Sequence, residues 1–590
     1  MSGVHPKRRT KHFTLIALAL AGAGEAAPGK SLSADAQFRA LYTSEYGWRQ
    51  RQERPGEDNV GGPRMRLPDV GPAAQALKLE RWAKTAASLA KLAPSLSNTE
   101  SLNLAVYRGQ IDALLNEQKF RDYERPLNAD SSFWGDVAAS TQEPFYTEQD
   151  YRRYITMLRD IPRYYGQQIA NMRAGVRRGF TVPRVALQGR DADVAAIAAA
   201  KTPAGSPFYA PLRIFPSQIP AATQAALRAE AEAAIRGAVI PAHRKLLAFL
   251  RAEYIPGATA RIDAYSLPDG RAYYQSKISE YTTLDQTPEQ VHAIGLAEVA
   301  KICIRMHGVM RQVGFTGDLH AFLNFLRTDK QFYAMTPQEL LNRAAWIAKT
   351  VDGKLSRYFR RLPRMRFAIK PVPAEIAPFY TGGRGGPGIY LVNTYDLPAR
   401  PLYSLPALTL HESAPGHAFQ MPLTAENKTL PAFRRESYLS VYGEGWALYC
   451  EALGEEMGIY ETPYEVFGML SYQMWRAARL VVDTGIHAKG WTREQARAYL
   501  HDNTALSDHE IGTEVDRYIA WPGQAVSYYT GQLAIQSARA EAEKVLGPKF
   551  DIRDFHDAIL EIGAVPLPEL DARIDRLIAD GGKGPYTDDE

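Results

Sequence analysis

The chain has 590 residues and a mass of 65.6 kDa, and 45% of its residues are hydrophobic and 23% charged. This composition is typical of a folded globular protein and excludes intrinsic disorder, collagen-like repeats and a disulfide-rich scaffold. The formal charge is +5, and four basic residues against one acidic residue before position 28 supply +3 of it, leaving +2 for the rest. No basic run follows, so we expect no nucleic-acid partner.

The first 27 residues have the organisation of a secretory signal peptide. A basic stretch, Lys7 to Lys11, precedes an apolar run from Phe13 to Leu20, and small residues follow. The run is much shorter than the ~20 residues that span a bilayer. We therefore expect an exported, periplasmic protein with no membrane span in its mature part. Export permits a disulfide, but the sequence does not show whether its two cysteines pair, and two buried thiols are the simpler expectation.

Hydrophobic periodicity predicts a mainly α-helical protein. Apolar residues recur at three- and four-residue spacing over 73–93, 99–122 and 148–178. An alanine-rich helix is expected from Ala221 to about Glu253, with a break near Pro241. Four later helix starts carry capping boxes, at Thr287, Thr336, Thr492 and Ser507.

Residues 364–395 depart from the helical pattern. Stretches rich in β-branched and aromatic residues at 366–369 and 389–393 flank a glycine-rich segment, 381–388, and predict short strands. No internal repeat or long linker divides the chain. Residues 28–590 are therefore predicted to form one large α-helical unit with a small β-sheet. If two lobes form, they are expected at about 28–255 and 256–590.

The segment from Leu408 to Gln420 is similar to the H-E-x-x-H zinc motif but does not match it. In that motif a four-residue spacing brings both histidines to one face of a helix. His411 and His417 are six residues apart, and a continuous helix would place them about 120° out of line. Pro415 and Gly416 disturb the helical ladder, so a bulge is expected to turn His417 back. Spacing alone also allows a capped helix start with solvated side chains.

Two glutamates in a later helical segment are candidates for a third metal ligand. A hydrolytic zinc site needs three protein ligands and an open position. Glu444 and Glu451 lie in a largely apolar context, where a carboxylate is costly unless it is paired. Gly443 and Gly445 would let another backbone approach Glu444, which is therefore the preferred ligand. Glu451 is expected to support a ligand or to pair with another helix.

The run His411-Glu412-x-x-Pro415-Gly416-His417, followed by Glu444-Gly445-Trp446-Ala447, closely resembles the bacterial domain-of-unknown-function family 885 (DUF 885). That family is grouped with the gluzincin-type metallopeptidases. The resemblance covers about residues 35–585. Other segments that share it are 266–270, 273–274, 281–283, 388–393, 483–487, 490–491, 517–518 and 522–524. It implies a mainly helical, two-lobed fold with a deep cleft, similar to angiotensin-converting enzyme and the oligopeptidases. It also implies a strand, Ile389 to Asn393, that pairs with the substrate backbone.

The resemblance assigns roles to four residues. His411, His417 and Glu444 would bind one Zn²⁺, and Glu412 would be the general base. The six-residue histidine spacing departs from the gluzincin pattern, although dipeptidyl peptidase III shows that a lengthened motif can bind zinc. Tyr528 matches the position of an oxyanion donor better than the tyrosine after it, and its simpler interpretation is a core tyrosine.

His487 is a further candidate for the catalytic site. Arg479, Asp483 and His487 share one helix face at four-residue intervals. A surface ladder of ion pairs is one interpretation of this pattern. The other places His487 in the cleft, where it would donate a proton or contact the substrate.

Two classes of function are consistent with these residues. The first is an exported zinc peptidase that hydrolyses small peptides with metal-activated water and Glu412 as base. The second is a peptide-binding protein on the same fold whose metal site no longer turns over substrate. A metal-dependent amidase or esterase acting on non-peptide substrates is a third possibility. Glu412 favours an enzyme, because a pure binding site has no use for a base there. The sequence does not define the substrate sequence or the oligomeric state.

Overall fold

The computed structural model describes residues 32–54, 62–129, 131–374 and 377–587. The predicted signal peptide lies outside these residues. The described chain is mainly α-helical with a small three-stranded sheet, which confirms the predicted fold class. Cys303 and Cys450 are both unpaired thiols, and Cys450 is buried.

Before the sheet, the α-helices of the described chain are α1 (Ala34–Glu53), α2 (Pro72–Leu92), α3 (Asn98–Phe120), α4 (Phe133–Ala139), α5 (Glu148–Arg178), α6 (Ala192–Ala198), α7 (Ala221–Ala234), α8 (Ile240–Phe249), α9 (Ile255–Gly257), α10 (Gly270–Thr282), α11 (Pro288–Gln312), α12 (Leu319–Thr328) and α13 (Pro337–Asp352). The strands are β1 (Ala368–Pro371), β2 (Gly383–Gly386) and β3 (Ile389–Val392). After the sheet come α14 (Leu405–Glu412), α15 (His417–Glu426), α16 (Ala432–Arg435), α17 (Ser440–Glu456), α18 (Pro463–Lys489), α19 (Arg493–Asn503), α20 (Asp508–Ala520), α21 (Ser527–Leu546), α22 (Ile552–Glu561) and α23 (Leu567–Ala579).

The four predicted helix starts are confirmed. Thr287 and Thr492 form complete capping boxes, in which the side chain and the backbone of each cap exchange hydrogen bonds with the N3 residue. Thr336 and Ser507 each accept a hydrogen bond from the N3 backbone N–H. These caps define where α11, α13, α19 and α20 begin.

The alanine-rich helix is not broken at Pro241, contrary to expectation. Instead, π-helical turns at Ile235–Val239 and Leu250–Tyr254 join α7, α8 and α9 into one continuous rod. Each π turn lies just before a proline, Pro241 or Pro256. A π turn spaces its hydrogen bonds five residues apart, which accommodates a residue that cannot donate to the carbonyl four positions back.

The sheet has the order β1-β3-β2, with β1 parallel and β2 antiparallel to β3. The strand expected to pair with substrate, β3, therefore has a partner on both sides and no free edge. Strand β2 is an outer strand, and it packs against α14 and α15. Its sequence, Gly-Arg-Gly-Gly, gave no strand signal because glycine has low β propensity.

Two large hydrophobic clusters form most of the core. One combines Tyr154 of α5 with Leu323 of α12 and Leu480 of α18. The other combines Phe38 of α1 with Ile559 of α22 and neighbouring helices. Each cluster contains residues from both sides of position 255, so the cores do not divide the chain there. Helix α18 is buried from residue 467 to 487 and contacts α11, α14 and α17, which makes it the central support of the site described next.

Candidate metal centre

The helix that carries His411 ends one residue later, and a new helix begins at His417. Residues 413–416 form the connection, and the Gly416 N–H donates to the Leu410 carbonyl at 3.1 Å. A side chain at Gly416 would collide with the carbonyl oxygen of His411, so the tight turn back onto α14 requires glycine. The expected local bulge is thus a complete break between two helices.

This break brings the two histidines together. Their ring centroids are 4.9 Å apart and the rings are nearly perpendicular, at 88°. The Nε2 atoms of His411 and His417 lie 3.5 and 3.4 Å from the same oxygen, Oε2 of Glu444. One donor atom from each of these three residues lies within 4.8 Å of the other two. The structure therefore brings together the three residues predicted as metal ligands.

Glu451 supports His411 from behind. Its Oε1 accepts a hydrogen bond from Nδ1 of His411 at 2.8 Å, and its side chain is fully buried. This bond fixes the ring orientation and leaves Nε2 of His411 facing Glu444. Carboxylates that hold a ligand histidine in this way are common around protein-bound metals. The geometry thus separates the two candidate glutamates, because Glu444 faces both Nε2 atoms and Glu451 does not.

The cluster is electrostatically suited to positive charge. Burial lowers the pKa of His411, but hydrogen bonds to Glu444 and Glu451 outweigh burial and raise it to about 9. Burial also opposes ionisation of Glu444, yet His417 and His411 hold its pKa well below the ordinary value. A cation placed between the rings would meet an ionised carboxylate in a site shielded from water.

Glu412 faces the outer edge of the sheet. Its Oε2 accepts a 2.6 Å hydrogen bond from the Gly385 N–H of β2. A side chain at Gly385 would collide with the Glu412 backbone, so this close approach requires glycine. Among the described residues, Oε1 of Glu412 has no hydrogen-bond partner. The predicted base therefore lies at the junction of α14 and β2 with one oxygen available.

Tyr438, which sequence reasoning missed, contacts the cluster directly. Its hydroxyl donates to Oε1 of Glu444 at 2.7 Å, while the residue is 49% exposed. Desolvation of the hydroxyl and the neighbouring Glu444 carboxylate raise the pKa of Tyr438 well above its ordinary value. The signal that could have revealed it is Gly443, because a side chain there would overlap the Tyr438 ring. Gly443 thus makes room for an aromatic ring and not for a backbone.

Tyr528 lies at the edge of a buried network of arginines. Its hydroxyl accepts a 3.3 Å hydrogen bond from Arg517, and the Arg479 guanidinium lies 4.3 Å from its ring centroid. Arg479 and Arg517 both bind Glu514, at 2.9 and 3.2 Å. The hydroxyls of Tyr528 and Tyr438 are near enough to interact electrostatically. This network holds Tyr528 beside the residue that contacts Glu444.

His487 does not join the cluster. Its Nδ1 accepts from the Ala264 N–H at 3.1 Å, and its Nε2 donates to the Tyr518 carbonyl at 3.0 Å. Burial lowers the pKa of His487 to about 4, so the ring is neutral near pH 7. Both nitrogens are bound to backbone, which leaves none for a substrate. Arg479 and Asp483 on the same face are also buried, so the face is not a surface ion-pair ladder.

Fold and site together define a class: a mainly α-helical protein in which two histidines and a glutamate meet beside a small mixed sheet. The sequence model of the family described as "Bacterial protein of unknown function (DUF885)" matches residues 55–574. The chain therefore belongs to this family, in agreement with the motif resemblance. No curated protein matches the chain in sequence.

Two of the solved structures that match the chain show the same fold. One is described as "the putative lipoprotein from Colwellia psychrerythraea"; it is 27% identical, with a TM-score of 0.82 over 93% of this chain and 100% of that one. The other is described as "a putative lipoprotein of unknown function from Shewanella oneidensis". It is 17% identical, with a TM-score of 0.64 and the same coverage. These likenesses support the helical architecture. Neither description names an activity.

Proposed function

We propose that this protein is an exported zinc-dependent peptidase that hydrolyses small peptides. The observation that carries the proposal is the distance from Oε2 of Glu444 to the Nε2 atom of each histidine. Two ligands that each lie ~2.0–2.1 Å from a tetrahedral Zn²⁺ are roughly 3.3–3.4 Å apart. The Nε2–Oε2 distances of 3.5 and 3.4 Å match that separation and exceed an ordinary N–H···O hydrogen bond of about 2.7–3.2 Å.

The donor set also fits zinc chemically. Two imidazoles and one carboxylate are the ligands of a common type of catalytic zinc site, which keeps a fourth position open. The Glu451 carboxylate behind His411 adds the expected supporting group. Bound there, zinc would polarise a carbonyl and lower the pKa of water. The site would be held by His411, His417 and Glu444.

Three further residues would take part in peptide hydrolysis. Glu412 would take a proton from the attacking water through its available Oε1 and pass it to the leaving amine. Tyr528, held by Arg517, would stabilise negative charge on the carbonyl oxygen, and Tyr438 is a second phenol near the same place.

A peptide substrate is favoured by strand β2. The Asn393 N–H, just after β3, donates to the Gly382 carbonyl, so alternation directs the backbone groups of Gly383 and Gly385 to the opposite side. There Glu412 already accepts the Gly385 N–H, so a substrate would bond to the remaining backbone groups. An extended peptide could add to that edge beside Glu412. A peptide substrate would then lie on β2 and not on β3.

The proposed compartment depends on the N-terminal signal, which lies outside the described residues. Within the described part of the chain, no helix has the length and hydrophobicity to cross a membrane. Export to the periplasm therefore remains part of the proposal, and fractionation of cells that produce the full chain tests it.

The direct test combines metal analysis with a peptide-library assay in the presence and absence of chelator. We expect about one zinc per chain and cleavage that chelator abolishes and zinc restores. Zinc binding with peptide binding but no cleavage would indicate the non-catalytic binding protein. Zinc-dependent cleavage of amides or esters, but of no peptide, would indicate the non-peptide hydrolase.

A further inference from the structure

A cavity of about 230 Å³ is lined by residues of the sheet region and of α14, α18 and α20. It is bounded by Gly382 before β2, by Asn393 after β3, and by Leu408 of α14. Leu408 is one helical turn before Glu412, so α14 contributes to both the cavity and the candidate metal centre. The opposite wall contains Tyr472 of α18 and Glu510 of α20.

Arg476 lies beside Tyr472 of that wall, and its side chain has hydrogen-bond donors without a partner. It is 5% exposed, and its Nε and one terminal nitrogen have no hydrogen-bond partner. Its nearest carboxylate oxygen is Oε1 of Glu451, which is 3.9 Å away and already bonded to His411, while Oε2 of Glu451 has no hydrogen-bond partner. The guanidinium stacks over Tyr472, 4.6 Å from the ring centroid. A buried arginine with free donors is costly, so an acceptor is expected to reach it.

A second arginine at the cavity also has a donor without a partner. Arg400 lines the cavity, and its buried Nε also has no partner. Burial raises the pKa of Glu510, while Arg400 and Arg476 act to lower it, so both arginines lie within electrostatic range of this acid. Arg327 and Asp508 also line the cavity, so its two arginines are matched by two carboxylates. The donors without a partner are those of Arg400 and Arg476, and a carboxylate supplied by a ligand would accept hydrogen bonds from them.

The cap of α20 supports the same interpretation. Ser507 accepts the backbone N–H of Glu510, but the Glu510 side chain does not return a hydrogen bond to the cap backbone. The capping box is left half-formed, and Glu510 lines the cavity instead.

We propose that this cavity is a subsite for a substrate carboxylate, bound by Arg400 and Arg476. The proposal rests on the proposed peptidase function and names its substrate class. Gly382 is three residues from Gly385, the residue bonded to the base, which corresponds to roughly 10 Å along a strand. The enzyme would therefore prefer peptides with a carboxylate two to three residues from the scissile bond. A chain terminus and an acidic side chain are the two sources of that carboxylate.

Four acetylated pentapeptides test the proposal. The first is pentaalanine with a free C-terminus, and the second is the same peptide as its C-terminal amide. The third and fourth are amidated peptides ending in Glu or in Gln. KM and kcat are measured with the zinc-loaded enzyme, and mass spectrometry identifies the cleaved bond. We expect at least a ~10-fold lower KM for a carboxylate-bearing peptide than for its neutral partner, with cleavage two to three residues from the carboxylate. A preference confined to the free terminus or to Glu identifies the source.

Three variants assign the effect to residues. Arg400→Gln and Arg476→Gln should each raise KM for the carboxylate peptides by ~10-fold or more, with kcat and zinc content retained. Glu510→Gln should lower KM for the same peptides, because it removes the competing negative charge. A poorly folded protein cannot produce that opposite change. Arg343→Gln, at an exposed arginine of α13, is the matched control and should leave KM unchanged.

Calorimetric titration of the four peptides into zinc-loaded Glu412→Gln separates this proposal from the peptidase function. If wild type cleaves no peptide but Glu412→Gln binds the acid forms more tightly in an Arg400-dependent way, the subsite stands and the peptidase function fails. If acid and neutral peptides give equal KM and equal affinity, and the arginine variants change neither, the subsite is overturned.

Discussion

At the residue scale, the site depends on where the helix between the two histidines stops. The Gly416 turn folds residues 413–416 back onto α14, which directs His417 toward His411. The Trp446 indole donates to the Pro415 carbonyl at 2.8 Å and fixes this turn from the adjacent helix α17. A six-residue spacing can thus replace the usual four, because the helix does not have to remain continuous.

The first prediction concerns the division of roles between ligands and base. His411→Ala and His417→Ala should each abolish stoichiometric zinc, because each removes one of three protein donors. Glu412→Gln should retain zinc and lower kcat by at least ~10²-fold, because the proposed role of this carboxylate is to move protons and not to bind the metal. Metal content by mass spectrometry and peptide turnover check this. Full zinc occupancy in His417→Ala would show that the converging geometry does not bind metal.

The second prediction separates the two glutamates of α17. Glu444→Ala should lose zinc, since its Oε2 faces both Nε2 atoms. Glu451→Ala should keep zinc with ~10–100-fold weaker affinity, because it removes only the support behind His411. Competition with a chelator measures both, and Glu455→Ala, at an exposed position of α17, is the control. If Glu451→Ala lost zinc completely and Glu444→Ala retained it, Glu451 and not Glu444 would be the third ligand.

At the element scale, close contacts at glycine bring the site elements together. Gly385 lets β2 lie against the end of α14. Gly445, next to Glu444, meets Gly531 of α21, so that α17 and α21 cross with backbones in contact. This crossing sets the position of α17, and with it Glu444 and Glu451.

The third prediction tests that crossing. Gly531→Ala should destabilise the protein by about 1–3 kcal/mol or more, because the added Cβ would collide with the Val441 carbonyl. Gly512→Ala in α20 is the matched control, since nothing lies within 4 Å of its added Cβ. Gly512→Ala should raise the free energy of unfolding by up to about 1 kcal/mol, because alanine has a higher helix propensity than glycine. Chemical denaturation measures both, and equal effects would show that the helices do not cross tightly.

At the scale of the whole molecule, buried neutral histidines make stability depend on pH. Burial lowers the pKa of His243 and His487 to about 4 and that of His556 to about 3. The unfolded chain has a histidine pKa of about 6.5, so between these values the unfolded state binds more protons. Each histidine therefore contributes stability that is complete above pH ~6.5 and is lost as the pH falls toward 4.

The fourth prediction concerns the contribution of one of these histidines, His487, to the stability. The free energy of unfolding of wild type minus that of His487→Gln should be largest at pH 7.5. Below pH ~6.5 the difference should shrink by about 1.4 kcal/mol per pH unit. Denaturant titrations at pH 7.5, 5.5 and 4.5 give this difference, with His509→Gln, at an exposed position, as control. A difference that stays constant with pH would mean that His487 is not held neutral in the fold.

The sequence by itself determined the helical class, the helix starts, two of the three strands and the ligand candidates. These depend on local patterns: hydrophobic period, capping residues such as Thr287 and Thr492, and the chemistry of histidine and glutamate beside a Pro-Gly pair. Such signals lie within a few residues of the feature they predict, so no tertiary contact is needed to recognise them.

Only the tertiary structure decided which of these groups meet. Strand β2 forms from glycines because β3 and the Glu412 backbone approach it. Tyr438 reaches Glu444 through the space at Gly443, and His487 is drawn away by two backbone partners. Each outcome depends on residues distant in sequence, and the energies of such contacts are set by packing and burial rather than by local propensity.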